Sequence, residues 1–254
     1  HWVVPSGVIA ALAWTKIPLI ISLHGSDVFM AETNRLARTA TRLAFHRAGW
    51  ITACSEDLRR RAVALGANPE RTEVVPYGVD TDRFRPDRQV RAAVRQFRGI
   101  ADNAPVLVTV GRLVRKKGFE FVIGAMASLA NRWPTLQLFI IGQGDLETAL
   151  RQQVKSLGIE NRIVFLGALP QNEVAEWLSA ADVAVVPSVH DDAGNVDGLP
   201  NVLLESLSSG TPVVATNVGG ISSAITNGVT ALLVAEQDRQ ALADSIEQLL
   251  ERPL

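Results

Sequence analysis

The sequence holds one cysteine, Cys54, in 254 residues, which excludes a disulfide framework. No uninterrupted apolar run approaches the roughly 18 residues of a membrane span. There is no initiating methionine and no signal-peptide n-region; the chain starts His1-Trp2-Val3-Val4-Pro5. It ends Glu251-Arg252-Pro253-Leu254, directly after a helical pattern, so a piece of a longer protein is expected. No internal repeat and no low-complexity stretch is present, and no nucleic-acid partner is expected. Hydrophobic residues make up 47% and charged residues 20%, enough for a packed core and too apolar for disorder. At roughly 150 residues per domain, the length fits one to two domains.

Net charge is also nearly absent, at −1, but it hides an asymmetry. Residues 1–98 carry 15 Lys and Arg against 9 Asp and Glu, a balance of +6. Residues 99–254 carry 10 against 17, a balance of −7. Opposite signs suggest two domains, 1–98 and 99–254, with different partners; the basic one suits an anionic substrate or membrane surface.

Short apolar runs alternate with amphipathic stretches. In the first part, strands are expected at Ile17–Leu23, Trp50–Ala53 and Glu73–Val75. Helices are expected over Asn34–Ala48 and from Ser55, a candidate N-cap, to about Leu65. Asp82–Asn103, rich in Arg, Pro and Asp, reads as a connection containing one helix. Strands then fall at Val106–Val110, Leu136–Ile141, Ile163–Leu166, Val183–Val186, Val213–Ala215 and Ala231–Val234. Helical patterns lie between them, near Glu120–Asn131, Leu146–Leu157, Asn172–Ala180 and Val202–Ser209, and a last one follows at Gln240–Leu250. Continuous apolar strands alternating with helices predict a parallel, doubly wound α/β sheet. Right-handed crossovers gather the loops at the strand C-termini on one edge, where ligands bind.

The distinctive residues fall on those loops. Gly111-Arg112-Leu113-Val114-Arg115-Lys116-Lys117-Gly118 places glycines and cations before a helix N-terminus, an anion site in outline. It lacks the order of a P-loop, and a solvated basic turn is the plainer reading. Gly142-Gln143-Gly144-Asp145 lacks the third glycine of a dinucleotide fingerprint and fits a tight turn equally well. In Asp197-Gly198-Leu199-Pro200-Asn201-Val202-Leu203-Leu204-Glu205, Pro200 suits the first helical position. The amides of Asn201 and Val202 are then free to meet a phosphate, and Asp197 and Glu205 can accept from hydroxyls. Glu205, on an otherwise apolar helix, needs a partner, and an arginine is the plainer one.

His24, in Leu23-His24-Gly25-Ser26-Asp27, ends a buried strand; it faces either an inter-domain cleft or a hydrogen-bonded core. His190, Asp191, Asp192, Asn195 and Asp197 match no metal-ligand template, and no metal is expected. Cys54 reads as a small buried residue. Arg88, Arg91, Arg95 and Arg98 repeat at helical spacing; they form either a solvated face or one that meets anionic lipid headgroups.

Taken together, these motifs resemble the family 4 glycosyltransferases of the GT-B fold. The matching pieces run in order: HGSD at 24–27, VVPYGVDTDRF at 74–84, GRLVRKKG at 111–118, IIGQGD at 140–145, FLGALPQNEVAEWLSAADVAVVPS at 165–188, DGLPNVLLESLSSGTPVVAT at 197–216 and NGVTALLV at 227–234. The resemblance implies two Rossmann-like, doubly wound parallel-sheet domains facing a cleft, the first one incomplete. It implies a first domain that binds the acceptor and a second that binds a nucleotide-sugar donor. Transfer would retain anomeric configuration, without a covalent nucleophile, cofactor or metal.

By the same resemblance, Arg112 and Lys117 would hold the donor diphosphate, near Gly111 and Gly142. Glu205 would accept from the ribose hydroxyls. Asp197 and the backbone of Gly198, Leu199, Pro200 and Asn201 would hold the donor sugar, and the Val202 amide a phosphate. Ala168 and Leu169 would meet the base, and His24 would approach the sugar. The acceptor would be a saccharide, lipid-linked or small molecule, and the location cytoplasmic, at the inner face of the cell membrane if the acceptor is lipid-linked. The sequence departs from the family pattern in carrying Asp197 for glutamate and Tyr77 for asparagine, and it lacks an N-terminal glycine-rich loop. A non-catalytic nucleotide-sugar binding module, a GT-B nucleotide-sugar epimerase and, less well, an NAD-dependent oxidoreductase are the other readings.

Overall fold

The computed structural model describes residues 1–13 and 17–252. The chain divides into two compact units. The first comprises His1–Tyr77, His190–Leu199 and Val218–Ala224; the second comprises Gly78–Val189, Pro200–Asn217 and Ile225–Leu254.

The first unit is built on a parallel sheet of β1 (Ile20–Leu23), β2 (Trp50–Ala53) and β3 (Thr72–Val74), in that order. Ile20 pairs with Trp50 and Ile51 with Thr72. The helix Arg35–Arg47 starts at Asn34, whose side chain accepts from the Leu36 and Ala37 amides and satisfies two of the orphan donors of a helix start. Ser55 does the same for the helix Glu56–Ala64, accepting from Leu58 N at 3.3 Å. A further helix, Ser26–Thr33, was not expected from the sequence. Its apolar residues Val28, Phe29, Met30 and Ala31 are contiguous, so no three-and-four spacing marks it.

The second unit carries a six-stranded, all-parallel sheet. Its strands are β4 (Val106–Val110), β5 (Gln137–Ile141), β6 (Ile163–Gly167), β7 (Val183–Val186), β8 (Val213–Thr216) and β9 (Leu232–Val234). The order is β6-β5-β4-β7-β8-β9. The chain winds outward from β4 to β6, crosses to β7 and winds outward again, so the order reverses between β4 and β7. That reversal is where ligands of doubly wound sheets bind. Every residue of β7 and β8 is buried, as helices on both faces require. Phe119, Ile123 and Met126 of the helix Phe119–Leu129 share one core cluster with Leu242, Ile246 and Leu249 of the helix Arg239–Glu251. No helix among the described residues is long and apolar enough to cross a membrane.

The helix Arg88–Phe97 corrects the expectation of a solvated or lipid-facing arginine row. Arg95 is only 3% exposed. It donates to Asp182 Oδ2 at 2.9 Å and to the Ala104 carbonyl at 2.8 Å. Arg91 donates to Asp182 Oδ1 at 2.6 Å and to the Ala180 and Ala181 carbonyls. The Arg98 guanidinium lies 5.3 Å over the Trp177 ring. Three of the four arginines therefore serve packing, because Asp182, ahead of β7, supplies a carboxylate for two of them. Arg88 alone of the four remains exposed without such a role among the described residues.

Candidate functional site

In the second unit, the expected residues converge on the carboxyl edge of the sheet. β4 runs into Gly111 and exposed Arg112, then into a tight turn over Arg115–Lys117. The stem of Lys117 lies across Gly111, its Cε 3.3 Å from where a β-carbon would stand. Glu205 sits half-buried on the helix Asn201–Ser208. Burial pushes its carboxyl above the usual range, and the charge of Lys117 pulls it back. The charge partner of Glu205 is thus Lys117 rather than an arginine. Pro200 stands at the N-cap of this helix, one residue before the expected position, and no side chain caps it. A proline at the N-cap offers no side-chain acceptor to the first amides of the helix, those of Asn201 and Val202.

The Gly142 motif is a loop-to-loop joint. A β-carbon on Gly142 would stand 1.8 Å from the Gly111 carbonyl oxygen, and its φ of 138° is one that only glycine adopts easily. The Gly142 amide donates to the Gly167 carbonyl at 2.7 Å, and the Leu113 amide to the Gln143 carbonyl at 3.0 Å. These bonds draw the ends of β4, β5 and β6 together, with Ala168 and Leu169 following directly after β6.

The first unit holds a second cluster, built around His24. The carboxylate of buried Asp27 accepts from the amides of Val3 at 2.8 Å, Gly25 at 3.0 Å and His24 at 3.4 Å, which fixes the turn after β1. His24 Nδ1 lies 2.6 Å from the Tyr77 hydroxyl, and Nε2 lies 3.0 Å from His1 Nδ1. Burial lowers the His24 pKa from its ordinary value, and the Asp27 charge opposes this. Cys54, after β2, is buried, which pushes its thiol pKa up, while Tyr77 opposes the rise.

Asp197 and Gly198 belong to this cluster. A β-carbon on Gly198 would stand 2.8 Å from Cys54 Sγ, and one on Gly220 would stand 2.0 Å from the Gly198 carbonyl oxygen. The His190–Asp197 loop satisfies itself: Asp191 accepts from the amides of Ala193 at 3.0 Å and Asn195 at 2.8 Å. No cluster of metal-ligating side chains occurs among the described residues.

The expected residues thus fall into two groups. Gly111, Arg112, Lys117, Gly142, Ala168, Leu169, Pro200, Asn201, Val202 and Glu205 belong to the second unit; His24, Asp197, Gly198 and Leu199 belong to the first. Sequence reasoning passed over Tyr77 and Asp27 as site builders. The spacing of Asp27, three residues after His24, is a signal for a carboxylate-fixed turn. Nothing local links Tyr77 to a histidine 53 positions earlier.

Two parallel sheets flanked by helices, with cationic loops at the carboxyl edge of the second, are the α/β architecture of the GT-B class. The chain belongs to the family described as glycosyl transferases group 1, whose model matches residues 90–253; the model for Glycosyltransferase Family 4 matches residues 1–83. It is 34% identical over 236 residues to a GDP-mannose-dependent alpha-(1-6)-phosphatidylinositol monomannoside mannosyltransferase of Mycolicibacterium smegmatis, covering 92% of this chain and 61% of that one. It is 34% identical over 249 residues to a D-inositol 3-phosphate glycosyltransferase of Nocardia farcinica, covering 95% and 50%. Among solved structures, HepE of Anabaena in complex with UDP matches with a TM-score of 0.86 at 25% identity, over 97% of this chain and 66% of that one. The chain therefore spans about three fifths or less of the curated relatives named here.

Proposed function

We propose that the chain carries the donor-binding and part of the acceptor-binding machinery of a retaining glycosyltransferase that uses a nucleotide-diphosphate sugar. One observation carries this reading: the Lys117 charge acts on half-buried Glu205, and the helix of Glu205 starts at the carboxyl edge of the same parallel sheet with no side-chain cap from its N-cap residue. An ammonium and helix-start amides suit a diphosphate, and an adjacent carboxylate suits ribose hydroxyls. HepE, which binds UDP, and a relative named for GDP-mannose support the ligand class.

In this reading, Arg112 and Lys117 neutralise the charge that builds on the leaving diphosphate, the work a divalent ion does elsewhere. Ala168 and Leu169 meet the base. Asp197, Gly198 and Leu199, together with His24, address the hydroxyls of the donor sugar. The bond from the anomeric carbon to the phosphate oxygen breaks, and a bond to the acceptor oxygen forms on the same face. The acceptor proton passes to the departing phosphate oxygen. The basic first part of the chain, and relatives named for inositol phosphate and phosphatidylinositol acceptors, support an acceptor bearing phosphate, lipid-linked or free.

The test is transfer by the full-length enzyme from α-linked UDP-glucose and GDP-mannose to inositol phosphate and phosphatidylinositol acceptors, with the anomeric proton of the product followed by NMR. An α-linked product is expected; a β-linked product rules out retention, and transfer with neither donor to any acceptor rules out the reading.

A further inference from the structure

His24 is held on one side by Tyr77. Beyond the 2.6 Å contact between Nδ1 and the hydroxyl, the two rings stack with centroids 5.7 Å apart and planes 12° from parallel. The Cys54 thiol acts on the same hydroxyl, and a β-carbon on Gly198 would stand 2.8 Å from its sulfur. Tyr77 has one proton and two neighbours. An unprotonated imidazole nitrogen is a strong acceptor, whereas sulfur is a weak one. Burial keeps Cys54 as a thiol, with a proton of its own to give. One arrangement uses every donor: Cys54 S–H toward the Tyr77 oxygen, and Tyr77 O–H toward His24 Nδ1. The ring proton of His24 then sits on Nε2, which faces away from Tyr77 and, in the unliganded chain, donates to His1 Nδ1 at 3.0 Å until a sugar hydroxyl takes that place.

We propose that Tyr77, backed by Cys54, is a positioning residue that locks His24 as the neutral Nε2–H tautomer, so that His24 meets the donor sugar as a hydrogen-bond donor and not as a base. The role toward sugar rests on the function proposed above; the tautomer does not. The charged and titratable groups facing this cluster are consistent with it. The Asp27 carboxylate is engaged by three backbone amides, so it does not capture an imidazole proton. Burial holds Tyr77 and Cys54 in their protonated forms, and the charges of Asp27 and Asp197 add to it. Burial disfavours a charged His24.

The test uses the chain labelled with 15N-histidine, with the His24 signals assigned by their loss in His24→Asn. Two-bond proton–nitrogen spectra are expected to show a single Nε2–H tautomer for His24. Tyr77→Phe keeps the stacked ring but removes the hydroxyl. It is expected to give a tautomer mixture and a higher His24 titration midpoint, because the neutral ring loses the bond to its lone pair. Cys54→Ala, which spares the ring contact, is expected to move both in the same direction by less. In the full-length enzyme, Tyr77→Phe is expected to lower kcat about tenfold with little change in donor KM. It should also add a pH dependence near the ordinary histidine value of about 6.5. A wild-type Nδ1–H tautomer, or a spectrum unchanged in Tyr77→Phe, overturns the proposal. The expected spectra with unaltered transfer would instead overturn the role of His24 in the proposed function, and would leave the tautomer assignment standing.

Discussion

Asp182→Ala is expected to be among the most damaging single substitutions outside the candidate site. Asp182 Oδ2 accepts from Arg95 at 2.9 Å and from the Val106 amide at 2.7 Å, while Oδ1 accepts from Arg91 at 2.6 Å. Arg95 is almost wholly buried, and its Nε already has no acceptor among the described residues. Removing the carboxylate strands a buried guanidinium and frees the first amide of β4. Breaking a buried pair costs about 3–5 kcal/mol, and the 29% exposure of the Asp182 side chain places this one near the lower end. At about 2–4 °C per kcal/mol for a chain this size, Tm should fall by about 6–12 °C. Thermal and urea unfolding monitored by circular dichroism would measure it. The double variant Asp182→Ala with Arg95→Met removes the stranded charge and should recover at least half of the loss. A single variant within about 1 kcal/mol of wild type, or a double variant no more stable than the single, would refute the claim that a desolvated charge is what Asp182 holds in place.

Gly142→Ala should lower Tm by about 4–8 °C, from at least about 2 kcal/mol of strain where the new β-carbon meets the Gly111 carbonyl; an unchanged Tm would mean the two loops are not joined there. Lys117→Ala should weaken nucleotide diphosphate binding by about 10–100-fold in calorimetry, the worth of one or two bonds to a charged group, and should leave the fold intact. Glu205→Gln should stabilise the unliganded chain at neutral pH. The raised Glu205 pKa means that the folded state prefers the neutral acid, a preference fully satisfied below the ordinary 4.5 and lost as pH rises through the folded value. The Tm advantage of the glutamine variant should therefore shrink as pH falls from the raised folded value toward 4.5 and be gone below it; a constant advantage from pH 4 to 8 would contradict the burial of the carboxylate.

Strand identity was highly legible. Trp50–Ala53, Val106–Val110 and Val183–Val186 are bounded as the sequence predicts, because short runs dense in β-branched residues between turn signals leave little else for them to be. The cap at Ser55 was legible for the same reason, since the side chain and the amide it accepts from lie within three residues, whereas Asn34 was read as the first residue of its helix rather than as its cap. What was lost depends on distant partners. The arginine row of the helix Arg88–Phe97 looks solvated until Asp182 arrives from 87 residues beyond Arg95. Gly142 and Gly144 look like a weak ligand motif until the Gly111 carbonyl and the Leu113 backbone press against them. Tyr77 looks only like a departure from a family pattern until its hydroxyl is found on His24. In each case local pattern gives the element and its edge, while the meaning of a polar side chain comes from what the topology brings to it.

The central claim is a nucleotide diphosphate site built on Lys117 and Glu205. The most direct measurement is thermal unfolding of this chain with UDP, GDP, ADP, dTDP and NAD in turn, repeated on Glu205→Ala. At about 100-fold over Kd, one-site binding adds about 2.7 kcal/mol, worth about 5–10 °C here. A shift with one nucleoside diphosphate, absent with NAD and abolished in Glu205→Ala, is the predicted result. No shift with any diphosphate, or an equal shift in Glu205→Ala, would contradict it.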